Sequence, residues 1–138
     1  MKAYIAAMWK LMRGLVSIHP FWAAFIQLLI LLHGIAPFFF LPRPLAIVVL
    51  VCFYAGALTM VWLTMKYGFS RILGAAHIWW IPMLGLVVWS FSRITNEPPA
   101  YQIWVWSLLI IQPITLIFDG WDILRWLRGD RAEMVSGL

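Results

Sequence analysis

"PLAIVVLVCFYAGALTMVWLTM", residues 44–65, runs for 22 residues without a charge. As an α-helix rising ~1.5 Å per residue it covers roughly 33 Å, enough to cross a hydrocarbon layer of ~30 Å. Its apolar residues neither alternate nor keep to one face, so it reads as a helix surrounded by lipid. In that setting only helices and closed barrels satisfy every backbone amide.

Working outward, three more runs have the same character: residues 21–41, 73–91 and 101–118. Across the 138 residues 64% are apolar and 11% charged, more apolar surface than a soluble domain of this size can hide. The expected fold class is all-α, a bundle of four transmembrane helices in a single integral membrane domain spanning residues 1–138. The connections are short. "FLPRP" (residues 40–44) stops one helix at Pro42 and opens the next at Pro44, and "NEPPA" (residues 96–100) does the same between the third and fourth spans. The first span is too long for the core of a signal peptide, and no small-residue cleavage site precedes "FLPRP".

Charge sets the expected orientation. Lys2, Lys10, Arg13, Lys66, Arg71, Arg125, Arg128 and Arg131 flank one side of the spans, and only Arg43 and Arg93 flank the other. Basic residues are retained in the cytoplasm, so both termini are expected there, at a bacterial inner membrane. The net charge of +5 lies beside the spans. It points to anionic lipid headgroups, not to nucleic acid.

Residues 2–17, "KAYIAAMWKLMRGLVS", are too polar to span. On a helical wheel Tyr4, Ile5, Met8, Trp9, Leu11, Met12, Leu15 and Val16 share one arc. Lys2, Lys10 and Arg13 lie opposite, with Ala3, Ala6, Ala7 and Gly14 beside them. The expectation is an N-terminal amphipathic helix flat in the interface, with Lys2, Lys10 and Arg13 contacting lipid headgroups.

Polar side chains inside spans are costly and mark packing or function. With a uniform rise of ~1.5 Å per residue, Gln27, Thr59, His77 and Thr115 fall in the inner third of the bilayer and Asp119 at its inner edge. His33 and Gln112 lie nearer the middle. One expectation is a polar cavity of Gln27, Thr59, His77, Thr115 and Asp119 facing the cytoplasm, with His33, Gln112 and Asp122 as secondary polar groups. His77 is its proton-responsive member, histidine being the side chain that titrates nearest neutrality. The competing expectation is that these groups only hydrogen-bond between helices. On the fourth span Tyr101, Trp104, Leu108, Gln112, Thr115, Asp119, Asp122 and Trp126 share a stripe of about 90°.

Residues 119–128 continue that helix into the cytoplasm. Asp122 is spaced to pair with Arg125. Asp119 has no base three or four residues away, so it must reach Lys66, Arg71 or Arg13 across helices, face water, or carry a proton.

No cofactor is expected. The same rise puts His33 roughly 18 Å and His77 roughly 6 Å from the inner edge, which argues against one iron between them. No ligand spacing supports a metal held by His19, His77 and Asp119, and the single Cys52 cannot form an internal disulfide. Ten tryptophans, among them Trp79, Trp80, Trp89, Trp104 and Trp106, fit an interfacial belt or contact with another subunit. The function expected first is a non-catalytic subunit, scaffold or accessory factor of a membrane assembly, as a homo-oligomer or within a larger complex. Second is a small oligomeric transporter or channel, and third a cofactor-binding membrane protein or membrane enzyme. No nucleophile motif points to catalysis.

Overall fold

The computed structural model describes every residue except Met1, Ser136 and Leu138. The described chain is helical and has no strand beyond an isolated bridge between Ser70 and Glu133. Helix α1 is Lys2–Ser17. Four helices long and apolar enough to cross a membrane follow: α2 (Pro20–Phe40), α3 (Pro44–Tyr67), α4 (Arg71–Phe91) and α5 (Pro99–Leu127). The chain is thus an all-helical integral membrane protein.

Proline and glycine set the ends. Pro20, Pro44 and Pro99 each open a helix, where a missing N–H costs no bond. Gly68 closes α3 at φ 69, a left-handed conformation natural to glycine, and its N–H donates to Thr64 O at 3.0 Å.

Two spans depart from regular α geometry. In α2, Pro37 has no N–H to offer the carbonyl of His33. The backbone widens into a π-helix over Ile30–Ile35, where Ala36 N–H reaches back five residues to Leu31 O. It then tightens into a 3₁₀ turn over Ala36–Phe40. Helix α4 begins as an unusually long 3₁₀ helix, Arg71–Trp79, and becomes α-helical over Trp80–Phe91.

Two apolar clusters lie along the bundle. One joins Leu45 and Val49 of α3, Trp80, Met83 and Val87 of α4, and Trp104 and Leu108 of α5, with Leu29 of α2. The other lies at the end where both termini meet and joins Ala7 and Leu11 of α1 to Val61, Phe69, Leu73 and Ala76. The C-terminal segment is tied there too: Met134 N–H donates to Phe69 O at 2.9 Å, and Glu133 pairs with Lys10. At the opposite end Arg43 pairs with Glu97 and lies over the Tyr101 ring, 4.3 Å from its centroid.

Helix α1 packs on the bundle through a narrow face and leaves most of the expected apolar arc outward. Its buried residues are Ala7, Leu11 and Gly14. Of the expected apolar arc, Tyr4, Ile5, Met8, Trp9, Met12 and Val16 are exposed. Small residues win the inner face because they allow close approach. Even a Cβ on Gly14 would lie 2.5 Å from the Phe69 ring. Lys10, placed with the headgroup contacts by sequence, is drawn inward by Glu133, whereas Lys2 and Arg13 stay exposed. Trp80 and Trp104 are core residues, and Trp79, Trp89 and Trp106 are exposed.

Candidate functional site

The most extensive helix contact in the chain joins the 3₁₀ segment of α4 to α5. In a 3₁₀ helix residues three apart eclipse, so Arg71, Gly74, His77 and Trp80 stand in one line. On α5 Asp122, Asp119, Thr115 and Gln112 stand in a matching line, as residues three or four apart do on an α-helix.

The two lines meet rung by rung. Arg71 Nη1 donates to Asp122 Oδ1 at 2.8 Å. Gly74 lies against Asp119, where a Cβ would come within 3.0 Å of its Cα and Oδ1. His77 Nδ1 and Asp119 Oδ2 are 2.7 Å apart. Gln112 Nε2 donates to Trp80 O at 2.9 Å. At ~100° per residue an α-helix would have turned Arg71 and His77 roughly 120° apart.

The His77–Asp119 pair is largely shielded, with side-chain exposures of 13% and 18%. Joined to a carboxylate, the histidine Nδ1 carries the proton and donates it. Nε2 is then the free atom of the ring, without a hydrogen-bond partner among the described residues. Such a pair orients an imidazole and leaves its second nitrogen to accept or release a proton.

His77 and Asp119 lie in a cleft of about 1090 Å³ between α2 and α5. Thr115 also lines it, its hydroxyl donating to Ile111 O at 2.9 Å. Apolar and aromatic side chains form the walls, including Leu29, Phe53 and Trp22, which meets Phe118 edge-on at 5.0 Å. Arg71, Asp122 and Arg125 lie at the polar rim. There Arg71 Nε donates to Asp130 Oδ2 at 2.8 Å, and Arg125 Nη2 donates to the same atom at 2.7 Å.

Trp80 also lines the cleft, beside His77. The His33 ring stacks on its indole at 4.1 Å and 13°, and the His77 ring approaches it at 4.3 Å and 41°. His33 Nδ1–H donates to Leu29 O at 3.1 Å. His33 Nε2, Trp80 Nε1 and Gln112 Oε1 are buried without partners among the described residues. The expected depth separation of the two histidines therefore does not hold. A 3₁₀ helix rises ~2.0 Å per residue, which carries His77 deeper than an α-helix would, and one large indole reaches both rings.

Of the expected cavity, the structure brings together His77, Thr115 and Asp119, with Asp122 at the rim. Gln27 is exposed on the outer surface of α2. Thr59 does not line the cleft: it donates to Ala55 O at 2.8 Å and accepts from Trp79 Nε1 at 3.2 Å. His33 and Gln112 belong to the layer around Trp80.

The partners foreseen for Asp119 are corrected as well. Arg71 is taken by Asp122 and Asp130, Lys66 lies over Trp62 and Tyr67, and Arg13 is exposed, so His77 holds the acid. Arg125 pairs with Asp130 rather than Asp122. His19 lines the cleft but caps α2, its Nδ1 accepting from Phe21 N–H at 3.3 Å. Among the described residues no group of three His, Cys, Asp or Glu could hold a metal ion. Arg71 is the residue that sequence reasoning left outside the site; a period of three from Arg71 to Trp80 was the available signal.

No protein-family model matches the chain, and neither the curated proteins nor the solved structures contain a match.

Two outcomes follow from this geometry. Gly74→Ala forces α5 or the Asp119 side chain away and costs roughly 1–3 kcal/mol. Gly85→Ala, whose Cβ meets nothing within 4 Å, leaves stability unchanged or raised. Thermal unfolding of both variants in detergent compares them directly. At the rim, the Arg71 hydrogen bond holds the Asp130 carboxyl below its ordinary 3.8. A lowered folded pKa stabilises above the ordinary value, and that gain is lost as pH falls through the lower one. Hydrogen-exchange protection of residues 128–135, taken relative to the intrinsic rate at each pH, should therefore fall in acid below about pH 4, and Arg71→Ala should lower it already at neutral pH.

Proposed function

We propose that this chain is a small non-catalytic membrane protein of a bacterial inner membrane, with both termini cytoplasmic. It acts as a subunit, scaffold or accessory factor of a membrane assembly. The observation that carries this reading is the outward set of α1. Its small-residue face docks on the bundle while Tyr4, Ile5, Met8, Trp9, Met12 and Val16 remain exposed. In the interface that arc enters lipid or meets a neighbour, and Lys2 and Arg13 face anionic headgroups. The eight basic residues flanking one side of the spans support a cytoplasmic position for that side. Gln27 adds to the case, since an exposed carboxamide inside a span without a partner among the described residues is best satisfied by a second chain.

In mild detergent the protein should run as an assembly heavier than one 16.0 kDa chain. Gln27→Leu or Trp9→Lys should shift it toward the single chain. A wild-type protein that elutes as a lone chain at every concentration removes this reading.

The cleft favours a second reading, a small oligomeric transporter with its polar cavity open to the cytoplasm. It rests on the His77–Asp119 pair, shielded by apolar walls and open at one end of the bundle. Asp119→Asn or His77→Ala should abolish pH-dependent flux in liposomes while the assembly stays intact. Normal flux in both variants eliminates the carrier.

A further inference from the structure

We propose that the cleft between α2 and α5 binds a lipophilic organic monocation in exchange for one proton held by the His77–Asp119 pair. The inference rests on the carrier reading and names its substrate class.

Charge balance carries it. At the rim two cations, Arg71 and Arg125, face two anions, Asp122 and Asp130, and the four cancel. On the floor Asp119 and His77 share the proton on Nδ1. With Nε2 bare the pair carries one negative charge, and with Nε2 protonated it carries none. At 18% exposure among apolar walls, an uncompensated carboxylate is costly. Either a second proton or a cation in the cleft neutralises it. An imidazolium and a cationic ligand side by side would repel, so the two alternate. On binding, the N–H bond at Nε2 breaks, its electron pair stays on the ring, and the proton leaves to water at the mouth.

The groups facing Asp119 do not upset this balance. From α4 come His77 and Arg71, from its own helix Asp122 and Arg125, and from the start of α2 His19. Helix α1 presents apolar side chains and the uncharged Ser17 to the cleft, and α3 only apolar side chains and Gly56.

The walls suit a cation. Trp22, Phe25, Phe53, Trp80, Phe118 and Trp121 line the cleft. The protein's own cation–π contacts use Tyr101, Trp62, Tyr67, Trp89 and Trp126, none of which lines it. Among the described residues, then, no ring of the cleft carries one of the protein's own cations. Trp80 is covered by His33 and His77 and Trp22 meets Phe118 edge-on, but Trp22, Phe118 and Trp121 stay exposed, and such rings attract a cationic ligand. A volume of about 1090 Å³ accommodates a ligand of several rings. An anionic ligand of the same shape would meet Asp119 unfavourably.

The test uses the full chain in lipid nanodiscs, with tetraphenylphosphonium as probe and tetraphenylborate as its anionic counterpart of the same shape. Titration calorimetry in buffers of different ionisation enthalpy counts protons. The expected result is one tetraphenylphosphonium per chain with about one proton released, and an affinity falling about tenfold per pH unit where the pair holds its second proton. Asp119→Asn should lose binding at least tenfold along with the proton release, and Asp119→Glu should keep both. Equal binding of tetraphenylborate, or cation binding without proton release in the wild type, overturns the proposal whatever the variants do. Binding with proton release but no liposome flux supports the site and removes the carrier. Proton-coupled flux without tetraphenylphosphonium binding keeps the carrier and overturns the cation.

Discussion

The seam between α4 and α5 is the constraint from which the rest of the structure follows. Inside lipid no water satisfies a stray polar group, so pairing within the protein is strongly favoured. Arg71 meets Asp122, His77 meets Asp119, and Gln112 meets the carbonyl of Trp80. Side-chain hydrogen bonds between membrane helices average about 0.6 kcal/mol, so these rungs contribute modestly to stability. Their larger effect is on register. Sliding or turning one helix would strand two or three polar groups at once, and each stranded group costs more than its bond supplies.

That register explains the irregular helices. An α-helical start to α4 would spread Arg71, Gly74, His77 and Trp80 around the helix, and the rungs could not all form. The 3₁₀ segment lines them up, at the cost of poorer hydrogen-bond geometry over nine residues. Gly74 is part of the same arrangement, because any side chain there would meet the backbone of Asp119. In α2 the π segment answers a different constraint, the missing N–H of Pro37. It also positions His33 to stack on Trp80 from another helix. Two histidines from two spans thus share one indole, and the polar layer extends from the rim to the buried Gln112.

Much of the architecture was legible in the residues. The expected spans at 21–41, 44–65, 73–91 and 101–118 correspond to Pro20–Phe40, Pro44–Tyr67, Arg71–Phe91 and the first two-thirds of Pro99–Leu127. The α5 stripe was legible too: Tyr101, Trp104, Leu108, Gln112 and Thr115 are its buried residues, with Val105. α5 keeps regular α geometry past Pro113, so a wheel at 100° per residue describes it. The uniform rise failed on α4, where the helix starts as 3₁₀ and the period changes to three. The wheel gave no bundle-facing side for α1, because hydrophobicity alone does not weigh the close approach that Ala7 and Gly14 allow.

By itself, then, the sequence determined the number of spans, their ends and the asymmetry of charge between the two sides. These depend on local quantities: the length of an apolar run, the positions of proline and glycine, and a count of Lys and Arg. Tertiary structure alone decided which polar groups meet. Asp119 takes His77 rather than Lys66, Arg71 or Arg13, Arg71 goes to Asp122 and Asp130, and Gln27 turns outward. Those choices depend on helix phase and axial rise, which packing between helices can change from α to 3₁₀ or π without altering the hydrophobic pattern of the chain.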